Sequence, residues 1–243
     1  MNERHSTAIV TGGGKRVGEA IVRSLLDDGW TVIAHVHGAG DEVPVGATAV
    51  SADLADAEAA TAIFAAAQRK APVRLLVNCA ARFADDRLGG LNSDEFSAHM
   101  AVNVRAPILL TEELARRHGG GDALVINILD AKLAAPNPDF LSYTLSKYAL
   151  AGFTEVAARA LAGEGIRVNA IAPSLMLPSG EQGAENFAKV HAMNPLRHGV
   201  EVAEVVAAIR FLVDSPGVTG QTLQIDGGQQ FMNLPRDVQF LEL

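Results

Sequence analysis

Short apolar segments alternate with longer helical patterns along this chain of 243 residues. The apolar segments are nearly continuous, which is typical of strands buried on both faces of a parallel sheet. Strands that alternate with helices favour right-handed crossovers between parallel strands. We therefore predict an α/β fold with one doubly wound, seven-stranded parallel sheet and helices on both faces. The strand candidates are residues 7–11, 31–36, 47–53, 74–78, 123–129, 166–172 and 222–226.

The helical patterns between these strands end at the residues that commonly stop helices. Several end at a glycine, and Ser93 is the expected N-cap of the third pattern. The chain length suits a single α/β domain, so we expect residues 1–243 to form one nucleotide-binding domain. The helical patterns cover residues 16–29, 56–70, 93–120 and 139–165.

Net charge and cysteine content exclude some classes of function. The formal net charge is −8, which argues against nucleic-acid binding because that requires a basic surface. Cys79 is the only cysteine, so no internal disulfide is possible and a reducing compartment fits. The sequence before the first glycines carries no long apolar run. We expect a cytoplasmic protein with no membrane segment and no metal site.

A glycine cluster follows the first strand and opens the first helix, in "IVTGGGKRVGEAI" at 9–21. Gly12 and Gly14 allow the backbone to approach a ligand, and the helix start, with Val17, offers free N–H groups to a phosphate. Arg16 at the same place would repel the helix dipole unless it binds an anion. We predict a dinucleotide site here. The alternatives are a tight turn without ligand and a solvated Arg16.

The end of the second strand bears on which dinucleotide is bound. Sites for NAD usually place an acid there to bind the ribose hydroxyls. This chain has His37 at that point, and Asp41 and Glu42 follow in the expected loop. With Arg16 nearby, we predict NADPH/NADP+ rather than NADH as the cofactor. His37 is a candidate cofactor contact, although a solvated loop histidine is the simpler alternative.

Tyr143 and Lys147 are four residues apart and therefore share one face of the predicted fourth helix. A neighbouring ammonium favours phenolate, so we expect Lys147 to lower the pKa of Tyr143 and to make it a proton donor near neutral pH. Asp130 lies thirteen residues earlier, after a predicted strand.

These motifs together resemble the short-chain dehydrogenase/reductase family over nearly the whole chain, with Arg16 in place of the middle glycine of T-G-x-x-x-G-x-G. The resemblance implies a Rossmann-like fold, nicotinamide binding along the strand ends and often a homotetramer. It implies Tyr143 as acid, Lys147 on the ribose and Asn103 in a proton relay. The other implied cofactor contacts, in "DL", "VNCAA", "NIL" and "NAIAPS", are Asp53, Leu54, Asn78, Ala80, Ile128, Pro173 and Ser174.

Most of the family has serine where this chain has Asp130. A carboxylate would repel a developing alkoxide but suits a ring that carries N–H donors. Asp130, Arg16 and the aromatic Phe83 together resemble pteridine reductases, with Arg16, Phe83, Asp130 and Tyr143 as substrate contacts. We predict NADPH-dependent reduction of a pterin-like substrate. The alternatives are a degenerate site at Asp130, loop packing of Phe83, a carbonyl reductase for ketones or acyl thioesters, and a non-catalytic NADP-sensing protein.

Two segments near the C-terminal end are candidates for mobile or interface structure. Residues 175–199 are rich in glycine and proline, and we expect them to form a substrate lid with Met176 and Leu177 at the pocket or in helix packing. The tail at 231–243 carries Phe240, Leu241 and Leu243. We expect this apolar tail to dock at a subunit interface.

Overall fold

The computed structural model describes residues 6–178 and 183–241. Seven strands form one parallel sheet, and they are β1 Thr7–Val10, β2 Thr31–Val36, β3 Thr48–Ser51, β4 Val73–Asn78, β5 Ala123–Ile128, β6 Ile166–Pro173 and β7 Thr222–Ile225. Their order in the sheet is β3-β2-β1-β4-β5-β6-β7, and every pairing is parallel. The predicted fold class is confirmed.

The helices of the described ranges lie between these strands and after them. They are α1 Arg16–Asp27, α2 Ala59–Ala65, α3 Ser93–Met100, α4 Ala106–Arg117, α5 Leu141–Leu161, α6 Ala184–His191 and α7 Val202–Asp214. A π-helical turn, Ala101–Arg105, joins α3 to α4, and short 3-10 turns occupy Ala131–Ala134, Ala162–Glu164, Gln229–Met232 and Val238–Phe240.

Two apolar cores cover the two faces of the sheet. On one face, α1 and α7 pack with residues such as Ile21 and Ile209 against β1, β4 and β5. On the other face, α2, α4 and α5 pack with residues such as Phe64 and Leu110. Burial on both faces explains why the inner strands β1, β2, β4, β5 and β6 are continuous apolar segments.

Some expected helix limits need correction. The N-cap of α3 is Asn92 rather than Ser93, because the Asn92 side chain accepts hydrogen bonds from the N–H groups of Asp94 and Glu95. The pattern at 93–120 is interrupted by the π-helical turn and ends at Arg117. The sequence patterns did not predict helices α6 and α7.

The strand order places a crevice at the carboxyl ends of the central strands. The chain turns in opposite directions from β1, with β2 on one side and β4 on the other. In open α/β sheets, ligands bind outside the carboxyl ends of the strands at such a reversal. Among residues 6–178 and 183–241, no helix is long and apolar enough to cross a membrane.

Candidate active site

A cavity of about 990 Å³ opens at the carboxyl edge of the sheet. It runs from the glycine turn after β1 to the start of α5. Its lining residues range along the chain from Gly12 to Gln239. Asn78 and Asn103 do not line it. The other predicted site residues do, and they are Gly12, Gly14, Arg16, Val17, His37, Asp53, Leu54, Ala80, Phe83, Ile128, Asp130, Tyr143, Lys147, Pro173 and Ser174.

The glycine turn leaves no room for side chains where it meets the sheet. Gly12 has φ +68°, and a Cβ atom there would lie 3.1 Å from Ala80 Cα. A Cβ atom on Gly14 would lie 2.6 Å from the Glu42 carbonyl oxygen, and one on Gly18 would collide with the Gly12 carbonyl. The turn therefore presents bare backbone to the cavity at the start of α1, as a phosphate cradle requires.

His35 fixes this turn, a role that the sequence analysis missed. Its ring is buried, its Nδ1 accepts from the Gly12 N–H at 3.2 Å, and its Nε2 lies 3.0 Å from the Ala52 carbonyl oxygen. Burial lowers the pKa of His35, which keeps the ring neutral and the Nδ1 lone pair available. A buried histidine in an apolar strand was the available signal.

Arg16 adopts a left-handed backbone conformation, with φ +54°. Its exposed guanidinium donates to the Pro178 carbonyl oxygen at 3.0 Å, so it links the start of α1 to the segment after β6. Leu175, Met176 and Leu177 of that segment line the cavity. The expected lid at 175–199 thus begins at the cavity, although its residues 179–182 lie outside the described ranges.

At the end of β2, His37 is exposed at the cavity rim. The two acids of the following loop, Asp41 and Glu42, also reach the rim. The Asp41 carboxylate accepts the N–H of Gly38 at 3.0 Å, which ties it into its own loop. No carboxylate stands on the last residues of β2 itself.

Tyr143, Lys147 and Asp130 meet where β5 and α5 adjoin the cavity. The Tyr143 hydroxyl donates to Asp130 Oδ2 at 2.9 Å, and Lys147 Nζ donates to the Ile128 carbonyl oxygen at 2.7 Å. Asp130 also accepts the Lys132 N–H at 2.8 Å. The Lys147 ammonium lies 5.6 Å from the centre of the Tyr143 ring.

The electrostatics of this group differ from the sequence expectation. Burial, followed by the Asp130 carboxylate, raises the pKa of Tyr143 well above its ordinary value. The expectation that Lys147 lowers the pKa of Tyr143 is wrong in this structure, because burial and the hydrogen-bonded Asp130 carboxylate both raise it. Burial raises the pKa of Asp130 and lowers the pKa of Lys147 to about 8. Tyr143 is therefore a protonated phenol that is hydrogen-bonded to an acid.

An aromatic shelf lies beside the phenol. The Phe83 ring stacks on Phe140 with centroids 4.3 Å apart and meets Tyr143 edge-on at 4.7 Å. Phe83 is exposed and lines the cavity, so one ring face borders the space in which a flat ligand would lie. The structure places Phe83 at the pocket as well as in packing contacts.

Asn103 lies behind the shelf, in the π-helical turn. Its side chain accepts the Arg82 N–H at 2.7 Å and donates to the Arg82 carbonyl at 2.9 Å and to Ser146 Oγ at 2.9 Å. Asn103 therefore fixes the loop that carries Phe83 relative to α5. π-Helical turns are frequently found at functional sites.

Asn78 is buried under the cavity, where its side chain donates to Asn127 Oδ1 at 2.8 Å. The Asn127 amide in turn donates to Thr154 Oγ1 at 2.9 Å, so the pair joins β4 to β5 and α5. Asn78 therefore lies beneath the glycine-turn end of the cavity and does not line the cavity wall.

The glycine turn, the Tyr143–Lys147 pair and the seven-stranded parallel sheet define a dinucleotide-dependent oxidoreductase. A family model described as enoyl-(acyl carrier protein) reductase matches residues 14–230. The chain belongs to the short-chain dehydrogenase/reductase family.

The similar proteins cover nearly the whole chain. Dihydromonapterin reductase from Enterobacter sp. (strain 638) is 30% identical over 229 residues, which are 91% of this chain and 95% of the relative. The crystal structure of FolM alternative dihydrofolate reductase 1 from Brucella suis in complex with NADP has a TM-score of 0.89 and 36% identity, covering 94% of this chain and 96% of that one. The (3R)-3-hydroxyacyl-CoA dehydrogenase from Canis lupus familiaris is 30% identical over 249 residues, covering 93% and 96%.

Proposed function

We propose that this protein is an NADPH-dependent reductase that converts dihydropterins to tetrahydropterins. The observation that carries the proposal is the 2.9 Å hydrogen bond from the Tyr143 hydroxyl to Asp130 beside the exposed Phe83 ring. An acid at this position suits a ring with N–H donors and a basic nitrogen. The similarity to dihydromonapterin reductase and to an alternative dihydrofolate reductase supports the same substrate class.

The residues at the nucleotide end fit NADP. The bare backbone of Gly12 and Gly14 can approach a pyrophosphate, and we assign Arg16, which lines the same end of the cavity, to a phosphate on the adenosine ribose. We assign the adenine end to Asp53 and Leu54, and the nicotinamide end to Ile128, Pro173 and Ser174. The similar structure from Brucella suis contains NADP.

In the reaction, a hydride from the reduced nicotinamide adds to the carbon of a pterin C=N bond, and a proton must reach the nitrogen. Tyr143 and Asp130 hold one exchangeable proton between Oη and Oδ2. This pair donates the proton to the ring nitrogen and takes another from solvent, so C=N becomes CH–NH. Lys147 orients the ribose, Phe83 stacks on the ring and Asn103 keeps Phe83 in register with Tyr143.

The test is an assay of NADPH oxidation with dihydropterin, dihydrofolate and a β-keto thioester. We expect turnover of the dihydropterin and little of the thioester. Tyr143→Phe should lower kcat at least ~10²-fold, as is typical for loss of a general acid. Asp130→Ser should lose pterin turnover and gain carbonyl turnover. Turnover confined to the thioester would assign the protein to the carbonyl-reductase alternative, for which the hydroxyacyl-CoA dehydrogenase relative is the precedent.

We further propose that the chain works as a homotetramer in the cytoplasm. Helix α5 exposes an apolar face with Leu145, Tyr148 and Val156, of which Val156 is 68% exposed. An apolar face of this kind marks a protein contact surface. Light scattering of the purified protein tests the assembly, and a monomer at micromolar concentration would exclude it.

A further inference from the structure

A single buried ring joins the glycine turn to the chain after β3. The His35 side chain, on β2, is 2% exposed. Its Nδ1 accepts the Gly12 N–H at 3.2 Å, and its Nε2 lies 3.0 Å from the Ala52 carbonyl oxygen. Ala52 is followed directly by Asp53 and Leu54, which line the cavity at the end assigned to adenine. One side chain therefore connects the two parts of the chain that enclose the nucleotide end.

Two consecutive N–H groups of the glycine turn donate to His35. The Gly12 N–H donates to the ring, and the Gly13 N–H donates to the His35 carbonyl oxygen at 2.9 Å. The N–H groups in the first turn of a helix have no partner within the helix, so those of α1 are the ones that a phosphate would meet. His35 therefore sets the position of the phosphate cradle without touching the phosphate itself.

The two contacts of the His35 ring require one protonation state. Nδ1 accepts an N–H and therefore carries no proton, so the proton of the neutral ring lies on Nε2 and is donated to the Ala52 carbonyl. An imidazolium carries a proton on both nitrogens and would set its Nδ1–H against the Gly12 N–H. Protonation of His35 therefore breaks the contact with the glycine turn while it keeps the contact with Ala52.

The surroundings of the ring favour its neutral form. Burial, the largest effect, lowers the pKa of His35, and a charge on His37 lowers it further, whereas the hydrogen bond at Nε2 and the Asp53 carboxylate raise it. His37 faces the ring from the end of β2 and Asp53 from the chain after β3. The charged residues of the glycine turn, Lys15 and Arg16, are exposed at the cavity rim. Because the net shift is downward, the ring is neutral at neutral pH.

We propose that His35 is a positioning residue for the cofactor, whose neutral ring holds the phosphate cradle against the adenine end of the cavity and whose protonation weakens the binding of NADP+ and NADPH. The inference rests only on the cofactor part of the proposed function, so it holds whichever substrate is reduced. Affinity for the cofactor is full above the pKa of His35 and falls as the pH drops through it. By reciprocity, bound NADP+ must lower the pKa of His35.

The first test follows the ring itself. Long-range proton–nitrogen NMR spectra report the tautomer and the protonation of His35 in the wild-type protein with and without NADP+. We expect the Nε2–H tautomer at neutral pH and a lower pKa of His35 in the complex, because cofactor binding and protonation oppose each other. An Nδ1–H tautomer, or a pKa that is unchanged or higher in the complex, would overturn the proposal.

Two substitutions of His35 separate the acceptor from the rest of the ring. His35→Leu leaves the buried Gly12 N–H without an acceptor, so we expect the Kd for NADP+ to rise at least ~10-fold. His35→Asn places Oδ1 near the position of Nδ1 and does not titrate. It should recover most of the affinity, and its Kd should rise less than that of the wild type as the pH falls below neutral.

The matched control is His99→Leu. His99 is also buried, and its Nε2 accepts the Ala84 N–H at 3.3 Å without lining the cavity. This control should lower the midpoint of urea unfolding, as His35→Leu does, but leave the Kd for NADP+ nearly unchanged. An equal rise of the Kd in both leucine variants, or no recovery in His35→Asn, would show that His35 acts only through stability. Because these measurements follow binding alone, an absence of pterin turnover would refute the proposed reaction and not the role of His35.

Discussion

The backbone conformation of Arg16 explains why the family motif T-G-x-x-x-G-x-G has a glycine at the position of Arg16. A φ of +54° is unfavourable for a residue with a Cβ atom, by roughly 1–2 kcal/mol. Strained residues of this kind cluster at ligand sites, because the surrounding structure must hold them there. We infer that the Arg16 guanidinium contributes more to the free energy of cofactor binding than the strained backbone of Arg16 costs in the free energy of folding.

Arg16→Gly tests this inference. Glycine relieves the backbone strain, but its greater flexibility in the unfolded chain offsets part of this gain. The net effect should raise the free energy of unfolding by up to about 1 kcal/mol. Loss of a charge-assisted contact to phosphate should raise the KM for NADPH at least ~10-fold. Urea unfolding and steady-state kinetics measure the two effects.

Arg197→Gly is the control, because Arg197 has φ +57° and does not line the cavity. It should show a similar gain in stability with the KM for NADPH unchanged. A loss of stability in Arg16→Gly, or an unchanged KM, would contradict the assignment of Arg16.

Lys147 sets a pH limit on cofactor binding. Burial lowers the pKa of Lys147 to about 8, so the ammonium is present below that pH and is lost as the pH rises through it. We expect kcat/KM for NADPH, which reports the free enzyme, to fall above about pH 8. Lys147→Arg stays charged over this range and should remove the fall even if its activity is lower. A wild-type profile that is flat to pH 10 would contradict the role of the ammonium.

At the scale of elements, α5 depends on a cap from a distant loop. Phe140, the residue before α5, has no side-chain cap bond of its own. Asp86 supplies the missing acceptors, because its backbone carbonyl accepts the Leu141 N–H and its carboxylate accepts the N–H and hydroxyl of Ser142. The cap therefore positions both Tyr143 and the loop that carries Phe83.

Asp86→Ala should cost about 1–2 kcal/mol of unfolding free energy, which is typical of a lost N-cap. It should also lower kcat, because Tyr143 lies in the first turn of the helix that loses its cap. Asn92→Ala removes the corresponding cap of α3 and should cost a similar free energy with kcat nearly unchanged. Equal effects on kcat in the two variants would show that the cap acts only on stability.

The elements themselves were largely predictable from sequence. All seven strand candidates lie within two residues of the observed strands. For the five inner strands the reason is that strands buried on both faces must be continuously apolar. Asn92 was missed as a cap because Ser93 beside it has the same preference. Helix α6 lies inside a segment whose glycines and prolines indicated a loop. The sequence also carries no local sign that one helix changes to a π-helical turn at Asn103.

At the scale of the whole molecule, binding of NADP should stabilise the fold by mass action. A ligand present at one hundred times its Kd adds about 2.7 kcal/mol to the free energy of unfolding. For a chain of this length, that corresponds to a rise in Tm of roughly 5–10 °C. NAD+ at equal concentration should give a smaller rise. Equal shifts in a thermal melt would contradict the preference for the phosphorylated cofactor.

The site was predictable where it follows known spacing and hidden where it depends on distant contacts. Tyr143, Lys147, Asp130 and the glycine turn follow motifs that can be read along the chain, and they meet at one cavity. The contact of Lys132 with Asp237 joins residues 105 positions apart, and no local pattern announces it. The tail is expected at a subunit interface, and its Phe240 also packs on Phe140 of its own chain, a contact that no local pattern announces either.

The position of β1 between β2 and β4 has a consequence for how fast the chain folds. Thr7 pairs with Thr31 on one side and with Val73 on the other, so the second pairing must close a loop that contains β2, β3 and α2. Such non-local pairings slow folding, because the loss of chain entropy precedes the contacts that offset it. We expect refolding from denaturant to take milliseconds to seconds. NADP should leave the rate of the early phase unchanged, because the nucleotide crevice does not exist until β1 has paired with both β2 and β4.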